Sequence, residues 1–178
     1  MSELSLVNNH LSVNNHPDNS RERVEFRQSI LNAQDQMREL IDQGRLRDCM
    51  KELMLTHYFA PINKTYGCCT YARQIFLPKG SAVIGKIHRH AHLNFLMQGK
   101  VSVNTEFGVK YLEAPCTFVS EPGLKRAVYA EEDSVWTTVH LTKHCGEEFL
   151  KDIEDEVIAP DYQTLGLMSS VKQLEEKL

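Results

Sequence analysis

The chain has no run of the roughly 18 uninterrupted apolar residues that a membrane-spanning helix needs. Its opening, MSELSLVNNHLSVNNH, has neither a basic start nor an apolar stretch, so it does not read as a secretory signal. There is no excess of basic charge either. Lys and Arg number 20 against 24 Asp and Glu, for a net charge of -4 and a pI near 6.1. That balance makes nucleic acid or an anionic membrane surface an unlikely partner for the chain as a whole. Cysteine comes as an odd count of 5 with no CxxC spacing, and Cys68 and Cys69 are adjacent. This reads as reduced thiols in a cytoplasmic setting, most of them buried as small hydrophobes. Phosphate-binding glycine loops, GxGxxG turns and a nucleophilic triad are all absent from the sequence.

What is present suits a packed core. Of 178 residues, 42% are hydrophobic and 25% charged, which is the balance of a globular chain. Residues 1–18 are polar and repeat Val-Asn-Asn-His at 7–10 and 13–16, so they read as a flexible arm. Residues 19–60 read as a helical pair. Asn19 with Glu22 marks the first start, and Phe26, Ile30, Ala33, Met37 and Leu40 follow at helical spacing up to Gly44. Leu46, Cys49, Met50, Leu53, Met54 and His57 form a second stripe that stops at Pro61. Seven basic and seven acidic residues in this pair read as a solvated face.

Residues 61–142 change to short Val-, Ile-, Thr- and Tyr-rich runs between Gly and Pro turns. Candidate strands are 70–77, 82–90, 93–97, 100–105, 109–112, 116–120, 126–130 and 135–141. That number of strands at this spacing expects a closed barrel or jelly roll. Residues 143–178 return to helical spacing as an acidic extension, with Pro160 as an interruption. The expected class is therefore mainly β, a barrel with helical N- and C-terminal extensions.

The chemistry gathers in Lys86-Ile87-His88-Arg89-His90-Ala91-His92-Leu93-Asn94. Side chains alternate across a strand, so His88, His90 and His92 would share one face of an extended chain. Converging neutral imidazoles are what a transition metal requires. Three on one straight strand are too far apart for one ion, since alternate residues sit roughly 6.5–7 Å apart, and a bend near His90 would relieve this. His140 ends the last strand run, where parity puts Trp136, Thr138 and His140 on one face. Which face lines the barrel is open at this point. Glu106 and Glu121 are turn carboxylates at the rim.

The His-rich strand, the hydrophobic strand closing on Gly99 and the later Glu121-Pro122-Gly123-Leu124-Lys125-Arg126 together resemble the cupin superfamily. The first cupin motif is G(x)5HxH(x)3-4E(x)6G and the second is G(x)5PxG(x)2H(x)3N. The resemblance covers about 75 residues, 67–142. It implies an RmlC-like, cupin-type double-stranded β-helix. The runs HLNFLMQGKVSV, APCTFVSEPGLKRAVYA and VWTTVH are most similar to small cupins of bacteriophages and prophages. That finer likeness implies a host-cytoplasm or virion setting. Anchoring the motif on Gly99 puts its two histidines at Lys86 and His88, its Glu at His92, and the second motif's His at Arg126 or Lys125. A register shifted by two makes His88 and His90 the pair, with Asn94 at the Glu position. Both remain open from the sequence.

Two readings follow. In one, His88 and His92, with His90 or His140, hold a divalent ion (Fe, Zn, Mn or Ni), and the resemblance implies oxygenase- or isomerase-type chemistry. In the other the histidines are a hydrogen-bonded lining, and Lys86, Arg126 and Glu121 bind a small anionic ligand. A non-enzymatic virion, assembly or host-interaction role uses the same barrel as a scaffold. Barrels of this kind expose sheet edges, so a homodimer or higher homo-oligomer is expected. Light scattering at micromolar concentration checks this expectation, and a monomer mass would refute it.

Overall fold

The computed structural model describes residues 19–48 and 54–176. The arm at 1–18 and the stretch 49–53 of the expected second helix lie outside the described residues. In chain order the first elements are α1 (Arg21–Asp42), β1 (Leu55–Asn63), β2 (Cys68–Leu77), β3 (Ala82–Ile84), β4 (Ile87–His88) and β5 (His92–Gln98). They continue as β6 (Lys100–Thr105), β7 (Gly108–Glu113), β8 (Cys116–Ser120), β9 (Ala127–Ala130), β10 (Ser134–Thr142), α2 (Leu150–Val157), β11 (Ile158–Ala159) and α3 (Val171–Glu175). Among the described residues no helix is long and apolar enough to cross a membrane.

The strands form a jelly-roll barrel of two facing antiparallel sheets. One has the order β1-β2-β10-β5-β8, the other β3-β9-β6-β7, and β11 pairs with β4 beside them. Each sheet turns an apolar face inward, and these meet in a core of Leu77, Leu96, Val101, Val103, Phe118, Leu124, Val128 and Trp136. Phe118 meets Trp136 edge to face at 5.3 Å. Gly99 makes the tight turn between β5 and β6 at φ +82°, where a Cβ would lie 2.4 Å from the Asp133 carbonyl oxygen. Glycine is required there on both counts.

The larger sheet carries the register that builds the site. Across β1-β2-β10-β5 the inward row Leu55–Ile75–Trp136–Leu96 is apolar. The next row, His57–Arg73–Thr138–Asn94, is polar. The third begins Phe59–Tyr71–His140, and Val139 opposite Leu93 brings His140 beside His92. One end of the barrel is thus filled by its own hydrophobes and the other is polar.

Three expectations are corrected. Residues 55–60 are strand, not helix: LTHYFAPIN pairs with β2, and its irregularity falls between Ala60 and Asn63, around Pro61. An edge strand tolerates proline at such a bulge, so Pro61 interrupts pairing rather than ending a helix. His57 consequently belongs to the barrel. The cap of α1 is Ser20. Asn19 instead accepts from Arg27 (3.1 Å) and from the Met168 amide (2.7 Å), fastening the helix start to the C-terminal segment. The helical spacing expected over 143–178 resolves into the short helices α2 and α3, the latter with a Ser170–Gln173 capping box.

A further correction concerns charge. Arg23 and Arg27 of α1 are buried, and both reach the Glu106 carboxylate, at 3.1 and 2.8 Å. Arg23 also stacks over Phe107 at 4.6 Å. Glu106 was expected to be solvated; here its side chain is 4% exposed and pins the helix to the β6–β7 turn. Breaking a buried pair leaves uncompensated charge, at a cost of about 3–5 kcal/mol. Glu106→Gln is expected to lower the unfolding free energy in urea by about 3 kcal/mol. A loss below about 0.5 kcal/mol would show the pairing to be incidental.

Candidate metal centre

His88, His92 and His140 come together at the polar end of the barrel. Their ring centroids are 4.1 Å apart for His88–His92, 4.6 Å for His92–His140 and 4.9 Å for His88–His140. One ligand nitrogen from each lies within 4.8 Å of the others. The chain turns between β4 and β5 at Arg89 and His90, and this break in alternation lets His88 and His92 meet. His88 is held by β4, whose partner is Ile158 of β11, and by the Gly123 amide on its carbonyl at 2.8 Å. Ile87 points the other way, into a separate cluster with Ala159, Tyr162 and Leu167.

The same bend turns His90 outward, where it is exposed. It contributes only its carbonyl, which accepts from His92 Nδ1 at 3.2 Å. With its proton on Nδ1, His92 keeps the Nε2 lone pair, and that nitrogen accepts from the Arg126 guanidinium at 3.1 Å. Arg126 also donates to Asn94 Oδ1 (3.3 Å) and Ser120 Oγ (3.0 Å), and its guanidinium carbon lies 5.4 Å from the Trp136 ring. Trp136 Nε1 donates to the same Asn94 oxygen at 3.0 Å.

His88 and His92 face inward, and Arg126 reaches them from before β9. His90 and Asn94 are not a ligand pair. Lys86 borders the cavity but is paired with Glu154 of α2. Glu121 is half-buried at the end of β8 and does not line the cavity.

The cavity itself is about 380 Å³. His88, His140, Arg126, Thr138 and Tyr71 form its polar wall, while Ile75, Leu77, Val83 and Val128 form the apolar one. Leu150, Ile153, Glu154 and Val157 close it, so α2 is its cover. Several of these residues were not singled out from sequence. Tyr71 and Arg73 share the inward parity of Ile75 and Leu77 on β2, and an arginine in that apolar alternation was the available signal. His57 meets the Tyr71 hydroxyl at 2.8 Å, and Tyr71 stacks 6.3 Å from His140.

The three imidazoles are strongly biased to the neutral form. Burial is the main cause for each, with Arg126 adding repulsion. His92 is pulled down to about 3 and His140 to about 4, and His88 lies further below the usual range. Three neutral nitrogens converging in a dry site fit a divalent ion. So does the buried Nδ1 of His88, which has no hydrogen-bond partner among the described residues. The ligand set contains no carboxylate, and Arg126 holds one of the lone pairs.

No family model matches the chain, and no curated protein matches it by sequence. Solved structures of similar shape do exist. KdgF from Halomonas sp. is 16% identical, with a TM-score of 0.44 over 58% of this chain and 89% of its own. An RmlC-like cupin from Shewanella frigidimarina is 18% identical, with a TM-score of 0.38 over 53% of this chain and 90% of its own. A salicylate 1,2-dioxygenase from Pseudaminobacter salicylatoxidans is 12% identical, with a TM-score of 0.41 over 72% of this chain and 36% of its own. The fold itself, a jelly-roll barrel of two facing antiparallel sheets, is read from this chain's own strand order and pairing. At these identities no residue's role transfers, and the site rests on this chain's own geometry.

The depressed histidines have a pH consequence. Below the ordinary value of 6.5 the unfolded chain takes up protons that the folded one refuses down to about 4 and 3. Stability is therefore complete above about pH 6.5 and falls as the pH drops from there, by about 1.4 kcal/mol per pH unit per imidazole. Urea unfolding of chelated protein between about pH 7.5 and 4.5 measures this, and the slope is expected to shrink in His140→Gln. A flat profile, or an unchanged slope in the variant, would refute the buried neutral cluster.

Proposed function

We propose that this is a metal-binding cupin whose His88, His92 and His140 hold one divalent transition metal ion. The convergence of three neutral, buried imidazole nitrogens within 4.8 Å carries the reading. His88 comes from β4, His92 from β5 and His140 from β10, and a three-strand origin suits a ligand set better than one straight strand does. The cavity supports a binding role over a purely structural one, since about 380 Å³ of the barrel end is left open beside the cluster. A bound ion would supply a Lewis-acid or redox centre. The chain's own residues do the rest: α2 excludes water, the apolar wall takes a small molecule's body, and Arg126 presents a fixed positive charge.

One observation favours a second reading. The Arg126 guanidinium already occupies His92 Nε2, which suits a metal-free site for a small anion. Elemental analysis of untagged protein purified without chelator separates the two. About one metal per chain is expected, and less than about 0.2 would leave the metal-free reading standing. His88→Ala, His92→Ala and His140→Ala should each lose the metal with unchanged circular dichroism. His90→Ala should keep it, because that side chain faces solvent. Equal retention in all four variants would rule out this cluster.

A further inference from the structure

The charge of the cavity is unbalanced. Arg126 is 6% exposed, yet its three hydrogen-bond partners, His92, Asn94 and Ser120, are all neutral. Arg73 lines the same cavity from β2, half-buried, and its guanidinium makes no hydrogen bond or ion pair among the described residues. The carboxylate that lines the cavity, Glu154, is engaged by Lys86. Two guanidiniums thus line one cavity with no anion against them among the described residues. A buried charge without a partner is costly, and evolution keeps such an arrangement where a ligand completes it.

Their placement defines what completes it. Arg73 is opposite Thr138, and Thr138 is opposite Asn94, the residue to which Arg126 is bonded. Arg73 thus lies beside Thr138 on the neighbouring strand β2, and Arg126, which precedes β9 in the opposite sheet, reaches Asn94 on the other side of Thr138. Guanidinium forks match the two oxygens of a carboxylate. The wall beyond them is Ile75, Leu77, Val83, Val128, Ile153 and Val157, with few acceptors for a hydroxyl-rich molecule. A cavity of about 380 Å³ suits a small molecule.

We propose that the cavity binds a small monocarboxylate with a compact apolar body, its carboxylate between Arg73 and Arg126 over Thr138 and its body against the wall beneath α2. This deepens the metal reading, and rests on it in taking the molecule to sit beside an occupied histidine cluster. Arg73 is the new specificity residue: it selects the anion without belonging to the ligand cluster or to the barrel's packing.

Calorimetry on the whole chain tests it, with benzoate and hexanoate as probes, benzamide and hexanamide as neutral isosteres, and inorganic phosphate as the competing anion. Each titration is run on chelated and on metal-loaded protein. At low salt at least one carboxylate is expected to bind with Kd below about 1 mM, and about tenfold or more tighter than its amide. Arg73→Gln should lose about tenfold and Arg73→Lys should recover part of it. The urea midpoint of Arg73→Gln should stay level or rise, because the variant relieves an uncompensated charge; a structural arginine would lower it. Equal binding of acid and amide, tighter binding of phosphate than of either carboxylate, unchanged affinity in Arg73→Gln, or no carboxylate binding up to about 10 mM would each overturn the proposal. Carboxylate binding that persists in chelated protein while the elemental assay finds no metal sinks the metal reading alone. One metal per chain with no carboxylate binding sinks this one alone.

Discussion

The buried guanidinium of Arg126 is the interaction on which the rest of the site depends. It ties β9's approach to β5 through His92 and Asn94 and to β8 through Ser120, at 3.0 to 3.3 Å. It fixes the His92 tautomer by claiming Nε2, and the His90 carbonyl completes that choice from Nδ1. It adds repulsion to the burial that is the main cause holding the neighbouring imidazoles neutral. Burial lowers even this guanidinium, to about 10, which leaves it charged throughout the physiological range. A permanent cation in a low-dielectric cavity then sets what the cavity can accept.

The barrel divides its labour along the strand direction. Three consecutive inward rows of the large sheet run from apolar, through Arg73–Thr138–Asn94, to the imidazole row. The first row and the opposite sheet supply packing, and the other two supply the site. The extensions complete this arrangement instead of standing apart from it. α2 roofs the cavity with Leu150, Ile153 and Val157, and is tied down by β11 on β4 and by the Arg89 bond to the Ile158 carbonyl at 2.8 Å. α1 is pinned by Arg23 and Arg27 to Glu106, and by Asn19 to the segment before α3. α2 thus covers the chain's own barrel, while α1 packs on α3 and is buried only along its first half, at Arg23, Val24, Arg27 and Ile30.

Much of this was legible from residues alone. Lys100–Thr105 and Cys116–Ser120 are strands with the expected bounds, because alternating β-branched runs between glycine and proline turns have few other stable solutions. The missed strand, β1, is an edge whose His57 continued a helical spacing by chance and whose Pro61 looked like that helix's stop, and only pairing with β2 distinguishes the two. The arginines of the buried Arg23–Glu106–Arg27 group were read as solvated because Glu106 lies 79 and 83 residues further along the chain. A long-range ion pair leaves no periodic trace.

The sequence by itself determined the β-rich class, the C-terminal end of the barrel and the concentration of chemistry around His88 to His92, since these follow from local alternation and turn residues. Tertiary structure decided the membership of the site. The bend at Arg89 and His90 expels His90, strand pairing recruits His140, and the inward register of β2 brings Arg73 to the cavity. The physical reason is that a ligand set is a convergence in space of side chains from separate strands. Strand parity narrows each residue to two faces, and only the closing of the barrel selects which face is inside.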